Sequence, residues 1–342
     1  MNVTKEMIHP ELRKKARLIR MIVPYFKPST LVKANKVAKL MSLRSNKKIQ
    51  LQQIHIKREN TSSLRLCVYM PMKRKENVTG ILWIHGGGYA FGCPEQDVKF
   101  IKGFVLEHDC VVISPDYTLS IEEPYPAALE DCYAALLWMK QNAQKYSIRL
   151  DQLMVGGESA GGGLAAALSI YARDKEEVAI AFQMPLYPML DDRMMTASSQ
   201  NNDAPVWNTK SNAHAWKMYL ASLYEANHIS SYAAPARLKN FRNLPPALTY
   251  VGSIDPFKDE TILYMENLKT AGIPVNYKIF EGCYHGFDII ASKSTPAKAA
   301  KKFLMENFVY AKKTYFAEQK SQKKVIIKRK RVRKAEKKVS GI

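Results

Sequence analysis

A serine set among small residues, Gly157-Glu158-Ser159-Ala160-Gly161, stands where an apolar run at 153–155 gives way to an Ala-rich stretch at 162–171 that reads as helix. Strand, sharp turn and helix in that order can hold a hydroxyl exposed as a nucleophile. Glycine and alanine allow the strained turn and leave a substrate carbonyl room to approach Oγ. The same five residues also fit a plain strand-to-helix turn, so their company decides the reading.

Upstream, Ile81-Leu82-Trp83-Ile84 runs into His85-Gly86-Gly87-Gly88-Tyr89. A glycine loop of this kind can aim backbone N–H groups at one point. Attack of a serine on an ester turns the carbonyl oxygen into an oxyanion, which such donors stabilise. Standing alone the three glycines would be a flexible turn; ahead of a nucleophile turn they read as an oxyanion loop.

An acid and a base should follow the serine in that order, on loops after later strands. Residues 248–252 read as a strand ending at Ser253-Ile254-Asp255-Pro256, and Val275–Phe280 as another, ending at Tyr284-His285-Gly286-Phe287. His9, His55, His85 and His108 fall too early, and His214 and His228 precede Asp255, so only His285 fits. Glu158 points away from its neighbour's hydroxyl and reads as structural. Asp259 and Glu260 suit the start of a helix, where carboxylates favour the dipole, and are second choices for the acid.

With these pieces in place the chain resembles the hormone-sensitive-lipase-like branch of the α/β-hydrolases, from about residue 50 to about residue 315. The resemblance rests on His85-Gly86-Gly87-Gly88-Tyr89, Ser114-Pro115-Asp116-Tyr117, Pro124-Tyr125-Pro126-Ala127-Ala128-Leu129-Glu130-Asp131, Gly157-Glu158-Ser159-Ala160-Gly161-Gly162, Leu244-Pro245-Pro246-Ala247, Asp255-Pro256-Phe257-Lys258-Asp259-Glu260 and Tyr284-His285-Gly286-Phe287. It implies Ser159 as nucleophile, His285 as base, Asp255 as orienting acid, and N–H donors from Gly87, Gly88 and Ala160. One stretch departs from the pattern. Thr118 stands where the family carries an arginine, which removes an expected ion pair near the oxyanion loop.

The elements that must position these residues are legible as alternation. Two strands are predicted over 49–70, with further strands near 81–85, 110–114, 153–157, 179–186, 247–252 and 275–280, separated by helices. Over 125–143, Ala128, Cys132, Ala135 and Met139 repeat at helical spacing. This alternation predicts an α/β class, a mostly parallel twisted sheet with helices on both faces, and the resemblance implies that it is an α/β-hydrolase fold with a helical cap. Between 188 and 232 the rhythm breaks, and Met194, Met195, Trp207, Trp216 and Met218 suggest a cap insertion over an acyl pocket, or a short helical excursion of the core. Tyr89, Trp207 and Trp216 are the expected substrate contacts.

The 342 residues carry a net charge of +21. Residues 1–60 hold 15 Lys and Arg against 3 Glu, and 319–342 hold 11 against 1, so the body between is near neutral. The expected organisation is a basic cap segment over 1–48, a catalytic domain over 49–318 with its insertion at 188–232, and a basic, disordered tail over 319–342. Arg13, Lys14, Lys15, Arg17 and Arg20 surround Leu12, Ala16, Ile19 and Val23 at near-helical spacing, a pattern that fits a helix lying on a membrane, whereas the resemblance implies a helical cap over the site. The tail lacks aromatic residues for base stacking, so no specific nucleic-acid partner is predicted. Weak attraction of the basic ends to anionic surfaces, and a homodimer, are both compatible with the sequence. Lys5, Glu6, His9 and Glu11 interrupt any secretory apolar run. Five scattered cysteines without a C-x-x-C pair suggest free thiols and a cytoplasmic location.

These readings converge on a serine carboxylesterase acting on small-molecule acyl esters of short to medium chain, with no metal and no cofactor. Amide deacetylation of the arylacetamide type uses the same groups and is the alternative. A non-catalytic ligand receptor on this fold is the reading from another class, and the presence of His285 argues against it.

Overall fold

The computed structural model describes residues 1–38, 48–58, 62–73, 75–226 and 228–320. The expected tail beyond 320, and 39–47 of the expected cap segment, lie outside the described residues. Among the described residues eight strands form one sheet: β1 (Ile49–Lys57), β2 (Ser63–Pro71), β3 (Val78–Ile84), β4 (Val111–Pro115), β5 (Ile148–Glu158), β6 (Phe182–Leu186), β7 (Ala247–Gly252) and β8 (Val275–Phe280), in the order β1-β2-β4-β3-β5-β6-β7-β8. β1 with β2 and β2 with β4 are antiparallel; every other pair is parallel.

The helices are α1 (Arg13–Ile22), α2 (Pro28–Ala38), α3 (Val98–Lys102), α4 (Ala127–Gln141), α5 (Ala160–Lys175), α6 (Thr209–Leu220), α7 (Lys258–Thr270), α8 (Phe287–Ile290) and α9 (Thr295–Thr314). β3 and β4 are apolar and wholly buried, as parallel strands covered on both faces must be. Alternation along β3 separates the two cores. Leu82 and Ile84 pack on one side with Ala128, Cys132, Ala135 and Met139 of α4 and with α5, while Ile81 and Trp83 pack on the other with Phe308 of α9 and with Leu12 and Ala16.

The N-terminal segment is tied to the insertion that follows β6. The Met1 ammonium donates to the carbonyls of Gln200 (2.9 Å) and Asn201 (2.6 Å), and the Val3 N–H to Asp203 Oδ1 at 2.7 Å. The His9 N–H reaches the Gly282 carbonyl, just ahead of His285. α6 lies within the insertion, and its buried Ala215, Trp216 and Tyr219 join the core cluster that holds α4 and α5.

Three expectations are corrected. The strand placed over 179–186 begins only at Phe182, because the Ala179 N–H and carbonyl both bond the Gln319 side-chain amide, leaving nothing for a ladder. Gln319 and Lys320, placed in the tail, belong to the body: Gln319 also donates to the Leu150 carbonyl and Lys320 pairs with Glu176 at 3.3 Å. Met195 is 67% exposed and faces solvent rather than a pocket.

The ion pair expected to be lost at Thr118 is made by another residue. Arg58, just past β1, forks onto buried Asp131 of α4, with Nε to Oδ1 at 2.5 Å and Nη2 to Oδ2 at 2.7 Å. The same Nη2 donates to Thr118 Oγ1, and the Thr118 N–H and hydroxyl both donate to Asp131. A guanidinium from the sheet edge therefore substitutes for one on the loop after β4. Arg58→Ala should strand the Asp131 carboxylate and cost roughly 3 kcal/mol, the low end for a broken buried pair because the guanidinium is partly exposed; urea unfolding would measure it.

Candidate active site

β3 and β5 run parallel with Ile84 opposite Gly157, so the loops that leave their C-terminal ends emerge side by side. β5 turns into α5 at Ser159, which sits at φ 59°, ψ −121°. A side chain rarely tolerates that backbone, and the cost is about 1–3 kcal/mol. It is held by the Ser159 N–H on the Leu186 carbonyl at 3.0 Å, and by the N–H groups of Gly163 and Met189 on the Ser159 carbonyl. A Cβ on Gly161 would stand 2.1 Å from the Ile84 oxygen. The turn closes only with glycine there.

His285 follows β8 and Asp255 follows β7. His285 Nε2 lies 2.8 Å from Ser159 Oγ, and Nδ1 lies 2.8 Å from Asp255 Oδ2. The other carboxylate oxygen, Oδ1, accepts the Phe257 N–H at 2.9 Å. Asp255 is wholly buried, Ser159 and His285 nearly so. The rings of Phe257 and Tyr187 meet His285 edge-on at 5.0 and 5.1 Å and fix its plane. Burial opposes charging of the imidazole, but the Asp255 charge and hydrogen bond, aided by Glu158 and Asp288, outweigh it and raise its pKa above the ordinary value.

The glycine loop after β3 faces this trio. Gly87 and Gly88 adopt φ +118° and +58°, and Ala160 opens α5, where the first N–H groups of a helix have no partner within it. A Cβ on Gly88 would meet the Trp207 ring at 2.5 Å. Glu158 turns away from the serine hydroxyl and accepts the Gly86 N–H at 2.7 Å, anchoring the loop. Burial and then the charge of nearby Asp97 push the Glu158 carboxyl upward, and Asp97 is itself raised by burial while it accepts from Trp83 Nε1. Asp259 accepts the Ser198 N–H and Glu260 the Leu190 N–H, so both second-choice acids are engaged elsewhere.

Of the expected substrate contacts, Trp207 stands nearest, its ring 6.2 Å from that of His285. Tyr89 and Trp216 pack one row behind. Tyr89 donates its hydroxyl to the Met189 carbonyl and stacks on Tyr219 at 3.9 Å, with Trp216 tilted against it. Sequence reasoning missed Phe26, whose ring stacks on Phe91 and abuts Trp207, each at 5.7 Å, and so brings the segment after α1 over the site. It also missed Asn212. Among the described residues, both amide atoms of Asn212 and the indole N–H groups of Trp207 and Trp216 are buried without a partner. A polar residue on an inward helical face carries no sequence signal of its own.

Comparisons with known proteins point the same way. A family described as having the alpha/beta hydrolase fold matches residues 81–289. The esterase LipI of Mycobacterium tuberculosis is 35% identical over 208 residues, 60% of this chain and 65% of that protein, so the match spans just under two thirds of its length. An arylesterase of Saccharolobus solfataricus is 30% identical over 229 residues, 66% of this chain and 72% of that one. Among solved structures, a bacterial heroin esterase superposes with a TM-score of 0.81 at 31% identity, over 89% of this chain and 99% of that one. A hyperthermophilic esterase from Pyrobaculum calidifontis gives 0.76 at 27%, over 87% and 97%.

Gly88→Ala would drive a methyl group into Trp207 and strain a left-handed backbone. Labelling of Ser159 by a fluorophosphonate should slow by about two orders of magnitude, the usual cost of a displaced oxyanion donor, as timed gel fluorescence would read.

Proposed function

Because this chain belongs to the alpha/beta hydrolase fold family, we propose that it hydrolyses carboxylic esters, with Ser159 as nucleophile, His285 as general base and Asp255 as the orienting acid. The observation that carries this reading is the continuous line from Asp255 Oδ2 through the imidazole to Ser159 Oγ, 2.8 Å at each step. His285 Nε2 takes the hydroxyl proton as Oγ attacks the ester carbonyl, and Asp255 fixes the tautomer and stabilises the imidazolium. The oxyanion is received by the N–H groups of Gly87, Gly88 and Ala160. The imidazolium then protonates the leaving alcohol, an acyl group remains on Ser159, and water repeats both transfers to release the acid.

Relatives named esterase, carboxylesterase and arylesterase support esters over amides. The substrate is a small-molecule acyl ester, and close packing of Trp207 against the glycine loop favours short acyl chains. A series of 4-nitrophenyl esters of increasing acyl length should peak at acetate or butyrate, and a matched acetanilide should turn over far more slowly. Five free, buried thiols support a reducing, cytoplasmic compartment.

Ser159→Ala should remove turnover of 4-nitrophenyl acetate by about six orders of magnitude while circular dichroism is unchanged. Retained turnover would dismiss Ser159 from the role. The pH profile carries a sign. The base acts neutral, and its folded pKa is raised, so kcat/KM should fall on the acid side with a midpoint above about 6.5, the ordinary histidine value. In Asp255→Asn the raising charge is gone, so that midpoint should move down in pH while kcat falls about 10⁴-fold.

A further inference from the structure

The outward face of α1 is unlike the rest of the surface. Leu18, Met21 and Ile22 are spaced i, i+3 and i+4 and are 56%, 72% and 68% exposed, although each is a large apolar side chain. Three such residues side by side in water are costly unless something covers them. Arg17, Lys14 and Lys15 border the row and are exposed as well. The helix therefore has two non-polar sides: one carries Leu12 and Ala16 into the core, and the other is bare and framed by cations.

Across residues 1–38 nine Lys and Arg stand against two Glu. The near-neutral body contrasts with this end of the chain, so the cationic frame is local to the bare row. A flat apolar row bordered by long cationic side chains is the arrangement that seats in the headgroup layer of a bilayer: the apolar groups enter the acyl boundary, and lysine and arginine extend to phosphate. A nucleic-acid surface would match the charge and leave the apolar row uncovered. The chain leaving α1 runs straight to the candidate site. Asn208 Nδ2 donates to the Pro24 carbonyl at 2.8 Å, the Phe26 N–H donates to Ser211 Oγ at 3.0 Å, and the Phe26 ring abuts Trp207.

We propose that the Leu18-Met21-Ile22 face of α1, with Lys14 and Arg17 beside it, docks the protein on anionic phospholipid surfaces, next to the roof of the site. The binding is peripheral; among the described residues no helix is long and apolar enough to cross a membrane. Docking does not rest on the esterase reading, since it would stand if Ser159 proved inert.

The test is co-sedimentation of the full chain with vesicles of phosphatidylcholine alone or mixed with phosphatidylglycerol, at low and high salt. Binding should require phosphatidylglycerol, and a fraction should survive high salt. Met21→Glu with Ile22→Glu should weaken partition about tenfold or more and abolish the salt-resistant fraction. Lys14→Glu with Arg17→Glu should remove mainly the salt-sensitive part. Both pairs are exposed, and an unchanged circular dichroism spectrum and melting temperature would verify that each variant is folded. Full binding by the Met21/Ile22 variant would assign attraction to the C-terminal basic residues and overturn the proposal. Retention on DNA with no binding to either vesicle would overturn it too.

Discussion

Ser159 keeps its left-handed backbone because β3 and β5 approach so closely that only glycine fits between the Ile84 carbonyl and the first turn of α5. The parallel register that sets Ile84 against Gly157 brings the glycine loop and the Ser159 turn side by side at the C-terminal ends of two central strands. Later strands then need only extend the sheet. β7 and β8 pair from Ala247 and Val275 through Gly252 and Phe280, and their C-terminal loops bring Asp255 and His285 into line with the serine. The strain at one residue is maintained by its N–H on the Leu186 carbonyl and by the N–H groups of Gly163 and Met189 on its own carbonyl.

Around that geometry the electrostatics are set by burial and tempered by specific partners. His285 would lose its affinity for a proton in so dry a site, and Asp255 reverses the sign. Glu158 presents the opposite case. Its carboxyl is raised by burial and by Asp97, yet it holds the Gly86 N–H, so one acidic side chain ties the end of β5 to the glycine loop after β3. Around the imidazole the rings of Phe257, Tyr187 and Trp207 take the place of water.

Ser159, Asp255 and His285, which the structure joins in one hydrogen-bonded line, can be picked out in the sequence because each stands just past the end of an apolar run. Position along a strand is local information. What sequence could not disclose are pairings between distant residues whose types are unremarkable. Arg58 and Asp131 are 73 residues apart, and nothing about an arginine after a half-exposed strand announces that it replaces one absent beside Thr118. The late start of β6 has the same origin, since Gln319, 140 residues on, takes the backbone groups of Ala179. Met195 was misplaced because a methionine among aromatics looks internal; only the course of the insertion turns it to solvent.

Gln319 grips the Leu150 carbonyl and both backbone groups of Ala179, near the strand starts of β5 and β6, whereas Ser159 lies past the other end of β5. Nine residues of β5 from Leu150 on, at about 3.3 Å each, separate the two ends by roughly 30 Å. Whatever follows Lys320 thus departs from the far rim. A reporter or resin linker joined directly after Lys320 would therefore start on the side of the sheet opposite the cleft.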